Sequence, residues 1–131
     1  MNVLIVDDDI QLGRSLARVL TRLGHDVKTA SSIEQALRLL ATEHPGVLLT
    51  DISLGDDCDG VDLACWAAYA YGTPIVVMTG GDRGAALSRL QRAGLRGISV
   101  LPKPVSLETL VDELAWTTHE TIAPAAAQRR N

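Results

Sequence analysis

Residues 3–30, VLIVDDDIQLGRSLARVLTRLGHDVKTA, place three patterns in succession. Val3-Leu4-Ile5-Val6 is a β-branched run that ends in three acids, Asp7, Asp8 and Asp9. Leu12, Leu16, Val19, Leu20 and Leu23 then recur at helical spacing until Gly24 stops the pattern. Asp26 to Ala30 reads as a short second strand. Strand, helix and strand in a unit of this length point to a parallel crossover, the repeating piece of α/β sheets.

The alternation continues along the chain. Ser31 and Ser32 are both N-cap candidates, with Glu34 and Gln35 three residues on, ahead of a stripe of Ile33, Ala36, Leu37 and Leu40. Val47 to Thr50 is a third strand, and the loop after it leads through Gly60 into a third helix at about 61–71. Pro74 to Met78 is a fourth strand. A fourth helix at about 83–93 is weaker, with Gly84 in its first turn and Leu87 and Leu90 as anchors. Ile98 to Leu101 is the fifth strand, and Ser106 can cap a fifth helix with the stripe Leu107, Leu110, Val111 and Leu114. Five such units predict a flavodoxin-like, doubly wound (βα)5 fold of the α/β class. Its five parallel strands take the order 2-1-3-4-5, with helices on both faces. The domain covers 1–118 in this reading. Residues 119–131 form a short, flexible C-terminal tail with no room for an output domain.

With 131 residues and 47% apolar content, the chain suits one domain with a single core and is not disordered. Net charge is −4 and the basic residues are scattered, which argues against a nucleic-acid surface. No apolar stretch reaches transmembrane length, and Met1 runs into a strand with no signal-peptide layout. A cytoplasmic protein without membrane partners is expected. Cys58 and Cys65 match no zinc spacing and read as reduced thiols.

The polar residues at the strand ends carry the chemistry. Asp7 and Asp8 end the first strand, Asp51 the third and Thr79 the fourth, and Lys103 follows the fifth. A parallel sheet gathers all of them on its carboxyl edge, where doubly wound folds build their sites. Three aspartates crowded there repel; at about 4 Å and an effective dielectric near 20 each contact costs roughly 4 kcal/mol. Lys103 and a divalent cation offset that, and an all-oxygen, carboxylate-rich site suits Mg²⁺. Thr79 adds a hydroxyl, and Gly80 and Gly81 leave the backbone open to phosphate oxygens. No Walker lysine loop or dinucleotide fingerprint occurs, so a phosphoryl group must arrive on a donor and be accepted by a carboxylate. Asp51, alone at the end of the central strand, is the natural acceptor.

Taken in order, VLIVDDD, VLLTDISL with its later Asp-Gly, IVVMTGG and VLPKPV resemble the receiver domain of two-component response regulators. The resemblance implies phosphorelay signalling, with Asp51 taking a phosphoryl group from a sensor histidine kinase or histidine phosphotransfer protein and thereby switching partner binding. It implies no enzyme acting on a separate substrate, only self-catalysed phosphorylation and dephosphorylation. Asp8 would bind Mg²⁺ directly with Asp51 and the Ser53 carbonyl, and Asp7 through water. Thr79 and Gly80 would hold the phosphoryl group, and Lys103 would pair with its oxygens ahead of a cis bond to Pro104. The sequence departs from the family in three places. Leu54-Gly55 and one extra residue alter the loop after Asp51, Val100 replaces the usual aromatic before the lysine, and Gly81 and Gly84 loosen the start of the fourth helix.

The remaining features have plainer readings. A calcium loop ending in Gly60 would need an acid at Gly55 and a glutamate at Trp66. Asp56, Asp57 and Asp59 are therefore loop carboxylates and a turn or helix cap. His25, His44 and His119 share no spacing with the site. Trp116 lies opposite the fifth helix's stripe and is expected to face outward. It marks a homodimer or effector surface on the fourth helix, fifth strand and fifth helix. Ile10, Arg14 and Arg18 form a docking face for a phosphodonor. A haloacid-dehalogenase-type phosphatase would need an acid where Ser53 stands, and the other alternative is a receiver-like scaffold that works without phosphorylation.

Overall fold

The computed structural model describes residues 1–54 and 59–122, with side chains through Thr117. Strands and helices alternate strictly: β1 (Asn2–Val6), α1 (Ile10–Arg22), β2 (Asp26–Ala30), α2 (Ile33–Glu43), β3 (Val47–Asp51), α3 (Gly60–Tyr71), β4 (Ile75–Thr79), α4 (Arg83–Arg92), β5 (Ser99–Pro102) and α5 (Leu107–Ile122). All strand pairs are parallel, in the order β2-β1-β3-β4-β5. The expected fold class and strand order are both present.

Alternation along the strands divides the apolar residues between the two sheet faces. Leu4, Val6, Leu48, Ile75 and Val77 pack with Ala36, Leu40, Leu63, Ala67 and Leu90 of α2, α3 and α4. Val3, Ile5, Val47, Leu49, Val76 and Met78 face the other way, against Leu16 and Leu20 of α1 and Leu110 and Leu114 of α5. With both faces covered, β3 and β4 are buried along their whole length, which is why they read as unbroken apolar runs. β2 lies at the sheet edge and is largely exposed.

Acids and a serine start the helices. Asp9 caps α1 through the Leu12 N–H, and Ser32, rather than Ser31, caps α2 through the Gln35 N–H. Asp59 caps α3 in a reciprocal capping box with Asp62, and Asp82 caps α4. Asp59 is thus the helix cap among the loop acids; Asp56, Asp57, Gly55 and Cys58 lie outside the described residues. Cys65 is a free thiol.

Two expectations for α5 need correction. Among the described side chains of α5 only Leu110, Leu114 and Thr117 are buried, while Leu107 and Val111 are 47% and 37% exposed. Trp116 is half-buried instead of facing out. It lies one turn beyond Glu113, which accepts a hydrogen bond from the buried Ser99 hydroxyl on β5. That flank is turned towards the outer edge of β5, where no further strand lies among the described residues. The helix also runs on to Ile122, past the boundary at 118, and residues 123–131 lie outside the described part. Among the described residues no helix is long and apolar enough to cross a membrane.

Gly60 is the tightest fit in the fold. A Cβ there would stand 1.9 Å from the Asp51 carbonyl oxygen and 2.8 Å from the Ile52 Cα. The start of α3 therefore rests directly on the backbone of the β3 end, fixed further by the Gly60 N–H to Ile52 carbonyl bond of 2.8 Å. Gly60→Ala should lose at least about 3 kcal/mol of stability, read as a lower denaturant midpoint with an unchanged slope.

Candidate functional site

The strand ends converge as the topology requires. Backbone bonding continues one residue past the strands: Asp7 N–H donates to the Ala30 carbonyl at 3.1 Å, Ile52 N–H to Met78 at 2.9 Å, and Lys103 N–H to Thr79 at 2.8 Å. These bonds hold Asp7, Asp51, Thr79 and Lys103 on one edge. Asp7, Asp51 and Thr79 are buried, Lys103 is half-buried, and Asp8, Ser53 and Gly80 are exposed.

The Lys103 ammonium ties the group together. Its Nζ lies 2.9 Å from Asp7 Oδ2 and 3.1 Å from Asp51 Oδ2. The second oxygen of each acid is used as well. Asp7 Oδ1 accepts the Asp9 N–H at 2.9 Å, and Asp51 Oδ1 accepts the Ser53 N–H at 3.4 Å. Thr79 Oγ1 accepts the Gly81 N–H at 3.0 Å, which aims the hydroxyl and bends the chain at the start of the β4–α4 loop. The Lys103–Pro104 bond is cis.

Charge is left over. One carboxylate oxygen from each of Asp7, Asp8 and Asp51 lies within 4.8 Å of the others. Three carboxylates against one ammonium leave a deficit of two positive charges. The donors are hard oxygens, and Asp8 opens to solvent, so the cluster fits a hydrated divalent cation better than a soft metal. Burial pushes the Asp51 carboxyl above its usual range, helped by Asp7 and opposed by Lys103 and the Ser53 N–H. Burial alone would lower Lys103, but its bonds to Asp7 and Asp51 outweigh that and raise it.

Asp51 opens into a cavity of about 440 Å³ lined by Ser53, Thr79, Gly80, Gly81, Asp82, Ala85, Arg89 and Lys103, among others. A smaller one of about 210 Å³ lies beside Asp7, with Ile10 and Arg14 on its rim. Asp7, Asp8, Asp51, Ser53, Thr79, Gly80 and Lys103 thus stand where the sequence placed them. Arg89 escaped the sequence reading. It lines the larger cavity from α4 and pairs with Asp59 at the start of α3. Its one signal was position, a turn beyond the small residues Ala85 and Ala86. His25, His44 and Trp116 line neither cavity.

The raised Asp51 carboxyl gives a stability test with a definite sign. The folded state holds this proton more tightly than the unfolded chain, so ionising Asp51 costs stability as pH rises above its ordinary value of 3.8. Asp51→Asn removes that cost. In a chelator at pH 7 its Tm should exceed that of wild type by a few degrees, and the gap should close as the pH falls below about 4.

Comparison with known proteins agrees with this arrangement. Residues 3–115 match the response regulator receiver domain family. The swarming motility regulation protein RssB of Serratia marcescens is 32% identical over 115 residues, covering 87% of this chain and 51% of that protein. The DNA-binding transcriptional regulator NtrC of Proteus hauseri is 34% identical over 109 residues, 82% of this chain and 22% of that one. The chain thus spans about half the length of the first relative and less of the second. A crystal structure of the signal receiver domain of a modulated diguanylate cyclase from Desulfovibrio desulfuricans superposes with a TM-score of 0.80 at 30% identity, covering 91% of this chain and 94% of that one. Acid pair, central-strand aspartate, threonine and lysine stand at the strand ends of a five-stranded sheet, and the chain belongs to the response regulator receiver domain family.

Proposed function

We propose that this domain is a phosphorelay switch whose acceptor is Asp51. The observation that carries the reading is the Lys103 ammonium bound to both Asp7 and Asp51 beside a cavity faced by Thr79 and Gly80. An Asp51 oxygen attacks the phosphorus of a phosphohistidine on a sensor kinase or phosphotransfer protein. The phosphorus–nitrogen bond breaks, and its electron pair leaves with the histidine. Lys103 then pairs with the new phosphoryl oxygens, and the Thr79 hydroxyl turns from the Gly81 N–H to donate to one of them. The Gly80 backbone, where a Cβ would meet nothing within 4 Å, leaves space for the others. Asp8, Asp51 and the Ser53 carbonyl would hold Mg²⁺, with Asp7 reaching it through water. The ion supplies positive charge to the transferring group. Water later attacks the same phosphorus, breaks its bond to Asp51 and releases phosphate, so there is no turnover of a separate substrate.

Donor and output surfaces follow from exposure. Ile10, Arg14 and Arg18 are exposed on α1, on the Asp7 side of the site, and suit a donor. A second copy or an effector would engage the α4–β5–α5 face, where half-buried Trp116 lies on the β5 side of α5, while the exposed Leu107 and Val111 lie on the opposite flank of that helix. In this reading the domain works in the cytoplasm, and any output beyond partner binding belongs to the wider protein or its partners.

Incubation with Mg²⁺ and acetyl phosphate, followed by intact-mass measurement, tests the assignment. Wild type should gain one phosphoryl adduct, and Asp51→Asn should gain none. Lys103→Ala should form it at least about tenfold more slowly. An unmodified wild type would favour a scaffold that works without phosphorylation, and an adduct surviving in Asp51→Asn would move the acceptor elsewhere.

A further inference from the structure

Arg89 stands between two anionic positions. Its guanidinium pairs with Asp59 Oδ2, and the same side chain lines the cavity over Asp51. Among the described residues it is the only cation besides Lys103 that faces this cavity. Asp59 does not depend on it. Its other oxygen, Oδ1, accepts the Val61 N–H at 2.9 Å and the Asp62 N–H at 3.3 Å, so the α3 cap stands without Arg89.

We propose that Arg89 is an ion-pair switch that leaves Asp59 for the phosphoryl group on Asp51, helping to hold that group and releasing α4 from the start of α3. The inference rests on the phosphoacceptor reading of Asp51. A phosphoryl group carries about two negative charges and three acceptor oxygens. Asp59 offers a single charge, already shared with two N–H donors. Lys103 is divided between Asp7 and Asp51 and cannot neutralise the added charge alone. A guanidinium, with five donors in a planar fork, is the side chain best suited to a phosphoryl group. Ala85 and Ala86, one turn back on the same wall, leave room for it to turn inward. Breaking the pair frees α4 at one end and α3 at the other, and α3 rests through Gly60 on the Asp51 backbone. The exchange gives this domain a way to report its state despite an aliphatic Val100 where the family has its aromatic.

The two partners can be separated because loss of each has an opposite effect. Load wild type, Asp59→Asn and Arg89→Ala with acetyl phosphate and Mg²⁺, remove the donor, and follow adduct decay by intact mass. Asparagine caps a helix as well as aspartate does but lacks the charge, so Asp59→Asn frees Arg89. Its adduct should persist about threefold longer than that of wild type, whereas the Arg89→Ala adduct should decay about threefold faster. Arg89→Lys, which keeps the charge, should restore part of the lifetime. Shifts in the same direction, or none, would mean that the pair is a plain structural tie and would overturn the exchange. Failure of wild type to take up a phosphoryl group would instead remove the acceptor reading, and the exchange with it. As a check independent of variant folding, the Arg89 Nε–H resonance of wild type should move on phosphorylation; an unmoved resonance overturns the proposal.

Discussion

The Lys103 ammonium, shared between two buried carboxylates, is the interaction on which the domain's architecture and chemistry both depend. In the order β2-β1-β3-β4-β5, the fifth strand lies three places from the first, about 14 Å at normal strand spacing. Lys103 spans that gap above the end of β4, anchored by its own N–H on the Thr79 carbonyl. Two carboxylates can sit this close and this buried only because a cation lies between them. The compensation is incomplete. Asp51 remains harder to ionise than a free carboxyl, so the site is held short of positive charge at the point where a cation and a phosphoryl group would enter. On the phosphoacceptor reading, Asp51 stands beside a charge deficit that a bound divalent cation would relieve.

The parts of this arrangement that were legible in the sequence are those fixed by periodicity and by strand direction. A short apolar run ending in a polar residue places that residue on the carboxyl edge of a parallel sheet, and Asp7, Asp51 and Thr79 needed nothing more. What the sequence hid depends on angles between elements. Leu107 and Val111 carry the right spacing for a buried stripe, yet α5 is rotated so that Thr117 takes the place at the sheet and Trp116 is drawn to its edge. A pattern of apolar residues defines a face about 100° wide and leaves its centre free to turn by the width of a residue. Arg89 was hidden for a related reason: its partner, Asp59, lies thirty positions away at the start of another helix, and no local pattern couples an arginine in a second turn to an N-cap. The Leu54-Gly55 departure divides in the same way. Leu54 is buried in the α2–α4 core, so the altered loop is anchored where it leaves Asp51, while the residues after it lie outside the described part.

The glycines of the β4–α4 loop acquire a different meaning from the structure. A Cβ at Gly80 would meet nothing within 4 Å, and those at Gly81 and Gly84 would meet only ordinary contacts, so packing does not demand glycine at these positions. Gly80 and Gly81 leave the first two loop residues without side chains above the cavity, which Asp82 then lines, and Gly84 weakens the first turn of α4. That helix buries only Ala86 and Leu90. Leu87 and Ala93 add partly buried apolar contacts, and the remaining ties are polar: Asp82 capping its first turn, Arg83 donating to the Val100 carbonyl at 3.1 Å, and Arg89 on Asp59. A buried leucine contributes the same stabilisation whatever charge lies nearby, whereas an ion pair beside a cavity responds to each charge placed in it. On the phosphoacceptor reading, the ties of Asp82 and Arg89 at the rim of the Asp51 cavity are the part of α4's attachment that would respond to a charge placed on Asp51, with no aromatic side chain needed at position 100.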